Sequence, residues 1–198
     1  MPTLEKIIKE KVERLESVPN NLAVSVKKAQ KDIFNEVLDL LGRLDRKDGA
    51  IVMSKQNLIL IDEITLKTKK VVLGSDYVSA VQDFVNEFDT QATITTDFFE
   101  KLDVTITNEA LTEQMLKSAK KNSAELLLGT PMDAQFLQPI KGLLDDAVSS
   151  GASWAKTVGD IQDFVIGNDK VDGRLLRYSK QIASDSFATA DRAYTNVV

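Results

Sequence analysis

Leu22, Val26, Ala29, Ile33, Val37, Leu40 and Leu44 recur every three or four residues. That spacing lines up one face of an α-helix and fits no face of a strand. Upstream, Leu4, Ile8, Val12 and Leu15 repeat the pattern with Ile7 alongside, and Glu and Lys alternate between them. Pro19 and the asparagines after it predict a break, so residues 4–18 and 21–46 read as two helices ending at Asp48-Gly49. The expected arrangement is a long N-terminal helical arm or hairpin, packed on its neighbours or paired as a short coiled coil.

The same period continues to the C-terminal end. Residues 50–74 are rich in Val, Ile and Thr, and Ala50 to Met53 has strand character. Ser54 as an N-cap, with Leu58, Ile61, Ile64, Val71 and Val72 following, favours a helix closed by Gly74. Ser75-Asp76 opens the next, carried by Val78, Val81, Phe84, Val85 and Phe88 into Phe98, Phe99 and Leu102, with an interruption expected at Thr93 to Thr96. Thr107-Asn108-Glu109 reads as a cap before a helix that stops at Gly129-Thr130-Pro131. Asp133 is expected to cap another through Phe136 and Ile140 to Val148, kinked at Pro139 and ended by Ser149-Ser150-Gly151. Helices over 153–166 and from Asp172 onward, parted by Gly167-Asn168-Asp169, complete an all-α chain. The expectation is seven or eight amphipathic helices in an irregular bundle: an arm or hairpin over 1–46 and a body over 47–198, with a seam near 129–133.

The 198 residues include neither cysteine nor histidine. Disulfides, thiolate or imidazole zinc sites, Cys nucleophiles and Ser-His-Asp triads are thereby excluded. Carboxylate chemistry, a Lys-activated Ser or Thr, and oxygen-ligand metal sites survive. Residues 1–74 hold 14 Lys or Arg against 11 Asp or Glu, and residues 75–198 hold 11 against 19. The acidic half repels polyphosphate, which leaves DNA contact to the more basic N-terminal helices, through Lys6, Lys9 and Lys11. The clusters Lys67-Thr68-Lys69-Lys70 and Lys120-Lys121 read as solvated helix faces. Charges within the first turn argue against a secretory signal, and apolar runs such as Leu58 to Ile61 are far shorter than a membrane span. A protein soluble where it is made is expected.

Three constellations have a chemical reading. Asp160 and Asp163 lie one helical turn apart, with Asp145-Asp146 one helix earlier, so four carboxylates have the types for a metal or acid–base cluster. In a chain with 30 acidic residues such spacing arises by chance, and solvated faces are the simpler reading. Asn168 to Gly173 resembles a calcium-loop fragment, but Lys170 stands where a ligand oxygen belongs and Ser179 where the bidentate Glu belongs, which favours a plain turn. Trp154, the single tryptophan, suits either a partner anchor or the core, and Phe98-Phe99 reads as packing.

Four segments carry a family likeness. They are Ile51 to Ile64, centred on Ser54 and Asn57; Gly74 to Asp89, with Tyr77 and the Phe84 to Phe88 face; Phe136 to Trp154, with Gln138-Pro139 and Ser150-Gly151-Ala152-Ser153; and Leu175 to Val198. In these segments, which span most of residues 45–198, the chain resembles the minor head, or head-morphogenesis, proteins of tailed bacteriophages. Residues 1–44 match only in being helical. Longer relatives continue into a domain rich in aromatic, Gly and Cys words that has no counterpart here, so no activity located there is carried over. The sequence is expected to be either a short version or the ordered part of a longer product.

The resemblance implies a non-catalytic virion protein, present in multiple copies at the head or portal vertex. It would dock on portal or major capsid protein in head assembly, genome packaging or ejection. It implies no catalytic, cofactor or metal residue and no membrane partner. Two other classes remain open on the residues alone: a helical adaptor pairing through its N-terminal helices, and a carboxylate-dependent hydrolase using Asp145 and Asp163.

Overall fold

A computed structural model describes residues 2–104 and 109–197. The expected cap at Thr107 and Asn108 lies outside the described residues. Among the described residues the chain is all-α, apart from an antiparallel β-ribbon of two two-residue strands and two isolated bridges.

Helix α1 runs unbroken over Leu4–Leu41, with Thr3 as its cap. The expected break at Pro19 does not occur. Proline removes one i→i−4 hydrogen bond and costs about 3 kcal/mol inside a helix. Here Pro19 is itself buried between Val18 and Leu22, and that packing on the body holds the turn. The number of separate helices is therefore slightly off the expectation, because the two expected segments merge into one rod, which stops at Leu41 rather than at 46, where Arg46 enters a strand. Neither a helical hairpin nor a free arm exists: Val18, Leu22, Val26, Ile33, Val37 and Leu41 belong to the same core as Phe136, Ile161 and Phe187. Neither the boundary at 46/47 nor the seam at 129–133 divides that core, which takes in Leu44, Ile51, Leu127 and Met132.

Strands β1 (Arg46–Lys47) and β2 (Ala50–Ile51) follow. Asp48 and Gly49 join them with φ of 53° and 79°. Two consecutive positive φ values define the tight turn whose twist matches a β-ribbon, and Asp-Gly is among its preferred sequences. Ala50 and Ile51 use the strand character seen in Ala50 to Met53, and the helix of the 50–74 stretch starts at Lys55 with Ser54 as its expected cap, accepting from the Asn57 amide at 3.1 Å.

Helix α2 (Lys55–Gly74) and helix α3 (Asp76–Lys101) share Ser75 as the C-cap of one and the N-cap of the other. Its hydroxyl donates to the Val72 carbonyl at 2.7 Å and accepts from the Tyr77 amide at 3.2 Å. The interruption expected at Thr93 to Thr96 is absent, because each of three threonine hydroxyls has a partner compatible with the helix. Thr93 bonds the Asp89 carbonyl at 3.0 Å, Thr95 bonds Asp191 at 3.3 Å and Thr96 bonds Tyr194 at 3.1 Å.

Helix α4 covers Glu109–Leu128. Helix α5 begins at Thr130, with Pro131 in its first turn, passes through a π-helical turn at Asp133–Leu137 and continues over Gln138–Ser150. Asp133 is therefore inside the helix rather than its cap. Proline at 139 cannot bond the Gln135 carbonyl. That freed oxygen accepts from the Arg174 Nε at 3.2 Å, and the strain is absorbed by the π turn. Gly151, at φ 62°, closes α5: its amide bonds the Val148 carbonyl and that of Ala152 bonds Ala147. Helix α6 (Trp154–Val165) is capped by Ser153, and helix α7 (Arg174–Val197) ends the chain.

α3 and α7 flank α1, and the rings of Phe84, Phe88 and Phe187 meet between them with centroids 5.2–6.1 Å apart. The apolar face expected at the start of α1 is rotated. Ile8 and Val12 are 44% and 61% exposed, whereas Ile7 and Val18 are buried, with Lys11 and Arg14 on their side.

Candidate docking groove

Helix α4 is the least covered of the long helices, with only Thr112, Ser123 and Leu127 buried. Between it and α7 runs an open groove of about 580 Å³. Its α4 wall carries Leu111, Met115, Ser118, Ala119 and Asn122, and its α7 wall carries Ser186, Thr189, Ala190 and Ala193. Asp185 is the single charged residue in the lining. The floor is closed by Phe88, Leu116, Phe187 and Tyr194, which leave a space of only about 10 Å³ beneath. Short side chains line the α7 wall and, at Ser118, Ala119 and Ser123, part of the α4 wall, where a helical segment can approach closely, while Leu111, Gln114 and Met115 line the rest of the α4 wall.

The walls are held by polar contacts at their ends. The buried Tyr77 hydroxyl donates to the Leu127 carbonyl at 2.8 Å and lies 3.1 Å from Ser179 of α7. The Tyr178 hydroxyl donates to the neighbouring Leu126 carbonyl at 2.6 Å. Two last-turn carbonyls of α4, which a helix leaves unpaired, are thus satisfied by tyrosines from α3 and α7. Burial raises the pKa of both tyrosines and keeps their hydroxyls protonated. Lys120 reaches Asp89 at 2.6 Å and ties α4 to α3.

A buried network fixes α7 at the other end. Asp191 accepts from Lys11, from the Gln91 amide at 2.9 Å and from Thr95 at 3.3 Å. Lys11 also donates to Thr95 at 2.7 Å and Thr195 at 3.3 Å, while Gln91 accepts from the Arg14 Nε at 3.3 Å. Arg14 pairs with Glu87 at 2.5 Å. Lys11 is thereby committed inside the protein and is not a DNA-facing charge, in contrast to the exposed Lys6 and Lys9.

The four carboxylates do not converge. Asp145 pairs with Lys141 at 3.0 Å, Asp160 pairs with Lys156, and Asp146 and Asp163 face solvent. Among the described residues no three acidic side chains are grouped to hold a metal. Lys141 also reaches Asp62 at 2.9 Å, and bonds to Asp62 and then Asp145 raise its pKa. The Asn168 carboxamide oxygen accepts from the amides of Lys170 at 3.0 Å and Val171 at 3.2 Å, which makes the segment a closed turn. Ser179 is buried on α7, bonded to Tyr77. Trp154 packs on the core with the Arg46 guanidinium 4.2 Å from its ring centre, while its amide donates to the Gly49 carbonyl at 2.8 Å. It anchors the β-ribbon. Phe98 and Phe99 stack edge to face on α3, 5.2 Å apart. In the basic cluster, Lys67 pairs with Glu63 at 2.9 Å and Lys69 with Asp133.

Sequence reading missed the groove itself. Its signal is the density of Ser, Thr and Ala in 182–193 and in 118–124, which departs from the large apolar residues of the other helices.

No protein-family model, curated protein or solved structure matches the chain. The fold and groove define the class of molecule: an all-α domain with one open face between two helices. No helix among the described residues is long and apolar enough to cross a membrane.

Proposed function

We propose that this chain is a non-catalytic structural protein of a tailed-phage head, docking on portal or capsid protein through the α4–α7 groove. The observation that carries the docking role is the groove's construction: mostly uncharged side chains, small on α7 and larger at Leu111, Gln114 and Met115 of α4, over a packed floor. Enzyme sites gather titratable groups of displaced pKa in their clefts. The groups displaced here, Glu63, Tyr77, Lys141 and Tyr178, all lie outside the groove lining. In a chain lacking His and Cys, with Asp145, Asp146, Asp160 and Asp163 spread apart, the groove suits a helical partner.

The placement in a phage head rests on the resemblance of the four segments. Two of their central residues have clear structural work. Asn57 ties the β-ribbon to α2, and Tyr77 closes the end of α4. The adaptor reading is less favoured, because the main apolar face of α1 forms the core and only Ile8, Val12 and Val24 of its large apolar residues are left exposed.

Peptide mass spectrometry of purified particles tests the assignment. Peptides of this chain in a fixed ratio to portal protein support it. Their absence from particles, with the chain abundant in infected cells, removes it.

A further inference from the structure

α2 is covered on one side only. Asn57, Ile61, Ile64, Thr68 and Val72 face the core. The opposite side carries Ile59, Leu66 and Leu73, which are 54%, 58% and 40% exposed. These three stand seven residues apart, so each is displaced about 20° from the last around the helix. The result is a nearly straight apolar stripe about 21 Å long, at 1.5 Å per residue. At 3.6 residues per turn, Asp62 and Lys69 flank it on one side, and Glu63 and Lys70 on the other.

We propose that this stripe pairs with the same stripe of a second copy of the chain, antiparallel, about a two-fold axis at Leu66. The proposal uses none of the groove residues and does not rest on the phage-head reading. Leu66 then meets the partner's Leu66, and Ile59 meets the partner's Leu73. An antiparallel two-fold sets each flank against its own counterpart with the direction reversed. Asp62 therefore faces the partner's Lys69, and Glu63 faces the partner's Lys70, so all four flanking contacts join opposite charges.

A parallel pair crosses the flanks instead, setting Asp62 against the partner's Glu63 and Lys69 against the partner's Lys70. Every flanking contact is then like on like, which selects the antiparallel form. Asp62 is 73% exposed despite its contact with Lys141, and Lys70 is exposed, whereas Glu63 already pairs with Arg43 and Lys67, and Lys69 with Asp133, so the flanking contacts share these charges and set direction more than strength. Three apolar side chains per copy fall well short of the about 800 Å² per partner of a standard interface, so the dimer is weak, reversible and concentration-dependent.

The absence of native cysteine makes the geometry directly readable. A disulfide requires Cα atoms within about 7 Å. Under mild oxidation Leu66→Cys links to itself. Ile59→Cys and Leu73→Cys each stay unlinked alone and link when mixed. Sedimentation of the wild-type chain shows a dimer fraction that rises with concentration and falls with salt, and Leu66→Asp abolishes it. Leu66 is exposed, so that variant keeps its fold, checked by helical circular dichroism and its melting curve. A chain that stays monomeric up to about 1 mM, the weak limit of association, overturns the proposal. So does a dimer that survives Leu66→Asp, or self-linking of Ile59→Cys and Leu73→Cys as fast as Leu66→Cys.

Discussion

The ammonium of Lys11 donates to the Asp191 carboxylate, joining the first helix to the last across 180 residues of sequence. The pair is largely out of water, with Lys11 17% and Asp191 8% exposed. Breaking a fully buried pair costs about 3–5 kcal/mol. Partial exposure of Lys11 reduces this, so Asp191→Ala should lower the unfolding free energy by about 2–3 kcal/mol in urea titration. Lys11→Met combined with Asp191→Leu should recover most of the loss, since an apolar pair carries no desolvation penalty. A double variant as unstable as Asp191→Ala would show that the loss comes from elsewhere in the network.

Asn57 donates through Nδ2 to the carbonyls of Asp45 at 3.0 Å and Val52 at 2.8 Å, and accepts from the Asp45 amide at 2.9 Å. It is fully buried. Asn57→Ala leaves the Asp45 amide and the Val52 carbonyl unpaired, while the Asp45 carbonyl keeps the Val52 amide, and should cost about 2–4 kcal/mol. Because the ribbon it holds presents Arg46 to Trp154, the fluorescence of the single tryptophan should shift to the red. A stable variant with unchanged emission would contradict this role.

Glu63 is held by two bonds from Arg43, at 3.1 and 3.0 Å, and by Lys67, which together lower its pKa from 4.5 to about 2. A folded pKa below the unfolded one stabilises above 4.5, and the contribution is lost as pH falls toward 2. Urea midpoints of the wild type and Glu63→Gln should differ by a constant amount above pH 4.5 and converge near pH 2. A gap that persists in acid would assign the effect to packing.

Tyr77→Phe removes the donor to Leu127 and the partner of Ser179 while keeping the ring. The expected loss is about 1–2 kcal/mol. Faster amide exchange should be confined to the last turn of α4 and the turn after it. Uniform acceleration over the chain would mean that Tyr77 supports the core rather than this helix end.

The helical class was legible because large apolar residues recur at three and four through most of the chain, and caps at Ser54, Ser75 and Ser153 are local signals. Pro19 misled because its cost is local while its compensation comes from helices distant in sequence. The inward face of α1 was misread for a related reason. Lys11 and Arg14 look like solvent residues until Asp191 and Glu87 are known to lie opposite them. Asp48-Gly49 carried a ribbon signal that was read only as a helix stop. The groove depends on which two helices run side by side, a fact that periodicity along one segment does not contain.

The most direct test compares particle incorporation of the wild-type chain with that of Ser118→Arg/Asn122→Arg, two changes on the groove rim. Both positions are exposed, so the variant should fold normally. The expected result is wild-type chain in purified tailed-phage particles and at least a tenfold loss of the folded variant, equivalent to about 1.4 kcal/mol of docking energy. Equal incorporation of the two, or absence of both from particles, would contradict docking through this groove in a phage head.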